Sequence, residues 1–149
     1  MPGRERRGRP RAQRGQALLE AALVLPLLLF LAFGVVAAGR VTQAKIGVSA
    51  VAREAARAAA QSDNAADAVR AGQMRAADVA TGYNLEADHL AVTIDAGSME
   101  PGDTARTVAS YEVGFDDLPL LGWAHLRLTS SSQERVDLYR SRWHVQGAP

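Results

Sequence analysis

Glu20 is the residue in this sequence whose chemistry most needs a cause. Its carboxylate stands just inside an apolar segment long enough to cross a bilayer, five residues after Gly15. An acid in that position is costly and is usually retained for a function. If a helix begins near Gln16, Glu20 lies near its N-terminal end, where the helix dipole favours an anion. If the chain is cut after Gly15, the new α-amino group of Gln16, in this or a neighbouring copy, is the cation that pairs with it. The alternative is an uncut chain whose Glu20 sits at the interface and reaches toward the headgroups.

The remaining candidates do not assemble into a catalytic or metal centre. There are no cysteines, which excludes disulfides, thiolate nucleophiles and zinc–thiolate sites. His89, His125 and His144 are far apart in sequence, and none forms a metal-ligand pair on a helix. No phosphate-cradling glycine loop and no nucleophile elbow is present. Asp116-Asp117 reads as a solvated turn rather than a catalytic dyad, and Trp123, Trp143 and Tyr111 read as core or partner contacts. Arg53 and Arg57 share a side, with Glu54 in reach of Arg57 at three residues, which describes a surface network. The expectation is a protein without enzymatic activity, metal or cofactor.

The charge distribution positions these residues. The net charge of +1 over 149 residues hides two unlike parts. Residues 1–15 carry six arginines and one acid, leaving 11 basic and 15 acidic residues for the rest of the chain. A basic head joined to an acidic body by an apolar run is a topological pattern. It predicts a cytoplasmic N-terminus and an extracytoplasmic body beyond residue 40. Residues 1–15, with Pro2, Pro10 and three glycines, read as a disordered basic leader. Its position against the apolar run explains its charge more simply than nucleic-acid binding does, so no nucleic-acid partner is expected.

Ala17 to Ala38 gives about 33 Å of helix against a hydrocarbon thickness of about 30 Å, so residues 16–39 read as a transmembrane helix. Pro26 lies within it, where a missing donor kinks a helix or is absorbed by packing. A cleavable secretory signal ending at Val36-Ala37-Ala38 is the alternative. Beyond Arg40 the helical period continues to about Gln61: Val41, Ala44, Val48, Val51, Ala52, Ala55 and Ala59 form one stripe and Lys45, Ser49, Arg53 and Arg57 another. The alanine-rich stripe admits close helix packing; a solvated helix held by alanine propensity fits the outer part equally.

Residues 62–149 read as a small α+β domain. Ser62-Asp63-Asn64 offers caps and Gly82 a stop for a second helix over Ala65–Thr81, weakly amphipathic with Val69, Met74 and Val79 as its large apolar residues. Alternation then marks strands at Leu90–Ile94, Thr107–Phe115 and Trp123–Ser130, separated by a turn at Met99–Asp103 and an apolar-tipped loop at Asp116–Gly122. The serines 130–132 are expected to end the third strand, Val136–Trp143 to add a short strand or helix, and the last six residues to fray. The predicted fold class is α+β: a long N-terminal helix, a short second helix and a three-stranded antiparallel sheet with one face covered by the long helix.

Gly15, then Gln16-Ala17-Leu18-Leu19, then Glu20 and an apolar helix, all after a short basic leader, resembles a class III, type IV-like prepilin signal. More narrowly, residues 14–28 and the later Arg53-Glu54-Ala55-Ala56-Arg57-Ala58-Ala59 resemble the TadE-like pseudopilins of tight-adherence pilus systems. Ala21 stands where that family commonly has an aromatic, and Ala55 or Ala56 where it often has a Gly. The resemblance implies cleavage between Gly15 and Gln16 by a membrane-embedded prepilin peptidase. It implies a role for Glu20 in guiding subunit insertion, and helix packing with other pilins and assembly-platform proteins in adhesion and secretion. The cytoplasmic membrane of a bacterium or archaeon is the implied location. A plain single-pass anchor presenting an extracytoplasmic binding domain is the competing class, and a soluble domain released near Ala38 is a third.

Overall fold

The computed structural model describes residues 10–119 and 121–137. The leader's first nine residues, Leu120 and the predicted elements beyond Asp137 lie outside the described residues. Helix α1 (Pro10–Ala60), helix α2 (Ala65–Gly82), a short 3-10 turn at Ala87–His89, and strands β1 (Leu90–Asp95), β2 (Thr104–Gly114) and β3 (His125–Arg135) follow in order. The α+β class predicted from the alternating and helical periods is the one observed.

Helix α1 starts at Pro10, six residues before the expected Gln16. Proline is at home there, since the first turn has no use for its missing N–H and its fixed φ suits a helix. The helix then runs on through Pro26 without interruption. Over its apolar stretch the side chains are turned outward: Leu18, Leu23, Leu27 and Leu31 are each about two-thirds exposed or more. Among the described residues α1 is the one helix long and apolar enough to cross a membrane, which is consistent with a single-pass anchor.

The chain divides into two units between Gly39 and Arg40, so the outer end of α1 belongs with the α+β part. There the predicted stripe is buried: Ala44, Val48, Val51, Ala52, Ala55 and Ala59 are core residues, while Lys45, Arg53 and Arg57 are exposed. Helix α2 is capped by Asn64, whose side chain accepts from the Asp67 N–H at 2.9 Å. It buries Ala68, Gly72, Ala76 and Ala80, a stripe of period four, and leaves Met74 exposed. Its weak amphipathy therefore reflects a core face of small residues. At Gly72 an added Cβ would lie 2.5 Å from Ile94 Cδ1 and 3.1 Å from the Ala55 carbonyl oxygen, so α1, α2 and β1 meet there with no room for a methyl group.

The sheet is an antiparallel meander in the order β1-β2-β3, with Val92 opposite Ala109 and Ala109 opposite Ser130. Its inner face on β2 carries Ala105, Thr107, Ala109 and Val113, and Phe115 follows the strand, all buried. Ala59 and Ala60 of α1, Ala68 of α2, Ala105 of β2, Ala96 and Met99 from the β1–β2 connection and Val136 just after β3 form one core cluster. The serines do not end the sheet. Ser130, Ser131 and Ser132 pair with Ala109, Val108 and Thr107, and β3 continues to Arg135. Backbone hydrogen bonds to β2 hold that segment, and the inward serines fit a face whose opposing helices are lined with alanine. At the other end β3 begins two residues later than expected, leaving Trp123 in the preceding turn.

The β1–β2 connection is held by Asp103. One carboxylate oxygen accepts from the Ser98 N–H and hydroxyl at 2.6 and 2.7 Å, and the other from the Thr104 N–H at 2.8 Å. The Ser98 hydroxyl, followed by the Thr104 and Ser98 backbone donors, holds this carboxyl below the usual carboxylate range. Gly97 accommodates it: φ is +59° and an added Cβ would lie 2.6 Å from the Asp103 carboxylate.

Three outcomes are expected, read as denaturant midpoints by circular dichroism of the detergent-solubilised chain. Gly72→Ala, which on an open helix surface would stabilise, destabilises here by about 1–3 kcal/mol because the methyl overpacks Ile94 and Ala55. Thr107→Val stabilises by about 1 kcal/mol, since the Thr107 hydroxyl is fully buried without a hydrogen-bond partner. The folded-state pKa of Asp103 is depressed, so its contribution is complete at neutral pH and is lost as the pH falls through the carboxylate range and below it; Asp103→Asn flattens that part of the profile.

Candidate processing and assembly site

Gly15, Gln16 and Glu20 lie in consecutive turns of α1. The Gln16 side-chain amide donates to Glu20 Oε1 at 3.2 Å, an i,i+4 contact on an exposed face. Among the described residues no cation pairs with Glu20, and its neighbours Leu18, Leu19 and Leu23 are exposed. A carboxylate set among outward-facing leucines has its one polar contact in a neutral amide. That contact leaves most of its acceptor capacity open to a donor from outside the helix. In the intact chain Glu20 is also nearly three turns from the helix start at Pro10, beyond the reach of the dipole, which fades within the first turn. A helix beginning at Gln16 would bring Glu20 to the edge of that first turn and set a charged amine one turn away. An added Cβ at Gly15 meets nothing within 4 Å, so a side chain there would not disturb the helix itself.

The post-membrane residues separate. Arg53 and Arg57 are exposed as expected. Glu54 does not pair with Arg57; its carboxylate accepts from Arg75 of α2 at 3.0 Å. The tertiary partner wins because α2 packs along this part of α1, bringing a guanidinium from 21 residues away to the half-buried acid. Arg57 instead lines a shallow depression with Gln61, Glu134, Arg135 and Asp137.

Two features of the outer unit were not anticipated. Arg40 donates through both terminal nitrogens to the two carboxylate oxygens of Asp117, a pairing across 77 residues that no local pattern reveals. The Arg40 hydrogen bond holds the Asp117 carboxyl below its ordinary range. A carboxylate kept ionised in this way is unsuited to proton donation. An open cavity of about 480 Å³ lies beside this pair, lined by Glu86, His89, Glu112 and Asp116 among others. His89 and His125 each approach an acid, Glu86 at 3.5 Å and Glu112 at 3.9 Å. Among the described residues no group of three or more such side chains is arranged to hold a metal. Trp123, expected to be a core or partner contact, is not in the core: it is 80% exposed. Tyr111 is half-buried, with its ring edge-on to His89 at 6.3 Å.

No curated protein and no solved structure matches the chain. A protein-family model does: that of the TadE-like proteins, over residues 15–57, a match that opens on Gly15, takes in Gln16, Glu20 and Pro26, and ends on Arg57. Over those residues, the apolar helix and its alanine-rich continuation, this chain is similar to the TadE-like proteins.

Proposed function

We propose that this protein is a minor pilin-like component of a tight-adherence pilus and secretion system, made as a precursor and cut between Gly15 and Gln16 by a prepilin peptidase. The basic leader stays in the cytoplasm, the apolar part of α1 spans the membrane, and the α+β unit lies outside. The observation that carries the reading is the TadE-like match beginning at Gly15, on a helix whose Glu20 lacks a cationic partner among the described residues. Cleavage supplies that cation as the Gln16 amine, which Glu20 of a neighbouring subunit receives while the helices pack. The protein is the substrate of a peptidase and performs no catalysis of its own; its partners are other pilins and the assembly platform, and it acts in initiating or supporting pilus assembly.

Mass spectrometry of the mature N-terminus, from a host with its prepilin peptidase, tests the cut. The expected product begins at Gln16, its cyclised pyroglutamyl form counting as the same cut; a membrane-retained chain still beginning at Met1 overturns the reading. Gly15→Ala should abolish processing while leaving the helix intact, because a methyl group there touches nothing. Glu20→Ala should be processed normally yet fail in assembly. A plain membrane anchor, the competing class, would be indifferent to both substitutions.

A further inference from the structure

Arg40 is the first charged residue after the nineteen uncharged ones from Ala21 to Gly39. Placing its guanidinium in hydrocarbon is costly, so it marks the level at which the span gives way to headgroups. Asp117 is bound to it through both carboxylate oxygens, and this ties the β2–β3 connection to that level. The connection is compact. The Leu118 N–H donates to the Phe115 carbonyl at 2.9 Å, Leu121 to Leu118 at 3.1 Å and Ala124 to Leu121 at 2.8 Å. Gly122 is folded back on Asp116, the neighbour of Asp117, with an added Cβ only 3.5 Å from the Asp116 carbonyl oxygen. The backbone of Trp123 therefore follows directly on a residue packed against Asp116, its side chain is 80% exposed, and Pro119 is exposed beside a buried Leu118.

We propose that this loop rests on the membrane that α1 crosses, with the Trp123 indole in the boundary between headgroups and acyl chains and the Arg40–Asp117 bridge as its tether. Indole is suited to that boundary because one edge hydrogen-bonds and the body is apolar. Lipid is the occupant because Arg40, which holds the Asp117 of this loop, is the residue at which the uncharged apolar run of the sequence ends. The bridge neutralises Asp117, which would otherwise hold the loop away from a negative surface. The inference rests on the membrane span and is independent of the pilus reading.

The test uses the full chain carrying Trp143→Phe, which leaves Trp123 as its single tryptophan, reconstituted in phosphatidylcholine vesicles with or without brominated acyl chains. Emission should be blue-shifted and lost to bromine, more strongly when the bromine is near the carbonyl end of the chain than near its methyl end. Asp117→Ala, with helix content unchanged by circular dichroism, should weaken that quenching. If the chain floats with the vesicles but Trp123 is quenched by aqueous iodide and not by bromolipid, the proposal is overturned. It is equally overturned if the indole is shielded from both quenchers, which would place it against protein such as a second copy. Failure to float with vesicles removes the membrane span itself, and this inference with it, whatever the N-terminal mass measurement returns.

Discussion

Continuous helical hydrogen bonding lets one segment suit two different solvents, and α1 is patterned for this by a change of side chains rather than of backbone. Up to Gly39 the helix bears leucine, phenylalanine and valine turned outward; beyond Arg40 it bears alanine, valine and glycine turned into a core. A helix in hydrocarbon satisfies its own backbone, so outward leucines are stable there and unstable in water. The same backbone beyond Arg40 is held by close contact instead, and close contact requires small residues. Gly72 of α2 is the clearest consequence, since α1, α2 and β1 converge on it at distances that exclude even a methyl group.

The two charges flanking the apolar run are handled in opposite ways. Arg40 is satisfied inside the chain by Asp117. Glu20 has the Gln16 amide and no cation among the described residues. An ionised carboxylate with open acceptor positions in an apolar setting gains more from a cationic donor than from a neutral one. The asymmetry leaves one end of the apolar run with its charge paired inside the chain and the other with a carboxylate that has no cation among the described residues. That is why the cut after Gly15 and the acid at Glu20 belong to one device in the proposed function.

Much of this architecture was legible in the sequence because its signals are local. The three- and four-residue spacing of Val48, Val51, Ala52, Ala55 and Ala59 identified the buried stripe of α1, and alternation from Thr107 to Phe115 identified the inward face of β2. Asn64 announced the start of α2 through its capping side chain. The misses share the opposite property. Serines 130–132 carry no hydrophobic signal, and their strand is imposed by the ladder to β2. Glu54 chose Arg75 over Arg57, and Arg40 found Asp117, through contacts set by tertiary packing at separations of 21 and 77 residues. The start of α1 at Pro10 was not legible because proline and glycine ordinarily break helices, whereas the first-turn position accepts proline.

The candidate site divides along the same line. Gly15, Gln16 and Glu20 are neighbours on one helix, so the sequence sufficed to place them together, and the TadE-like match covers that segment. The match stops at Arg57, and the sheet, the cavity beside Arg40 and the Trp123 loop lie beyond it. There the indole of Trp123 is 80% exposed, and Glu86, Glu112 and Asp116 line the open cavity beside Arg40.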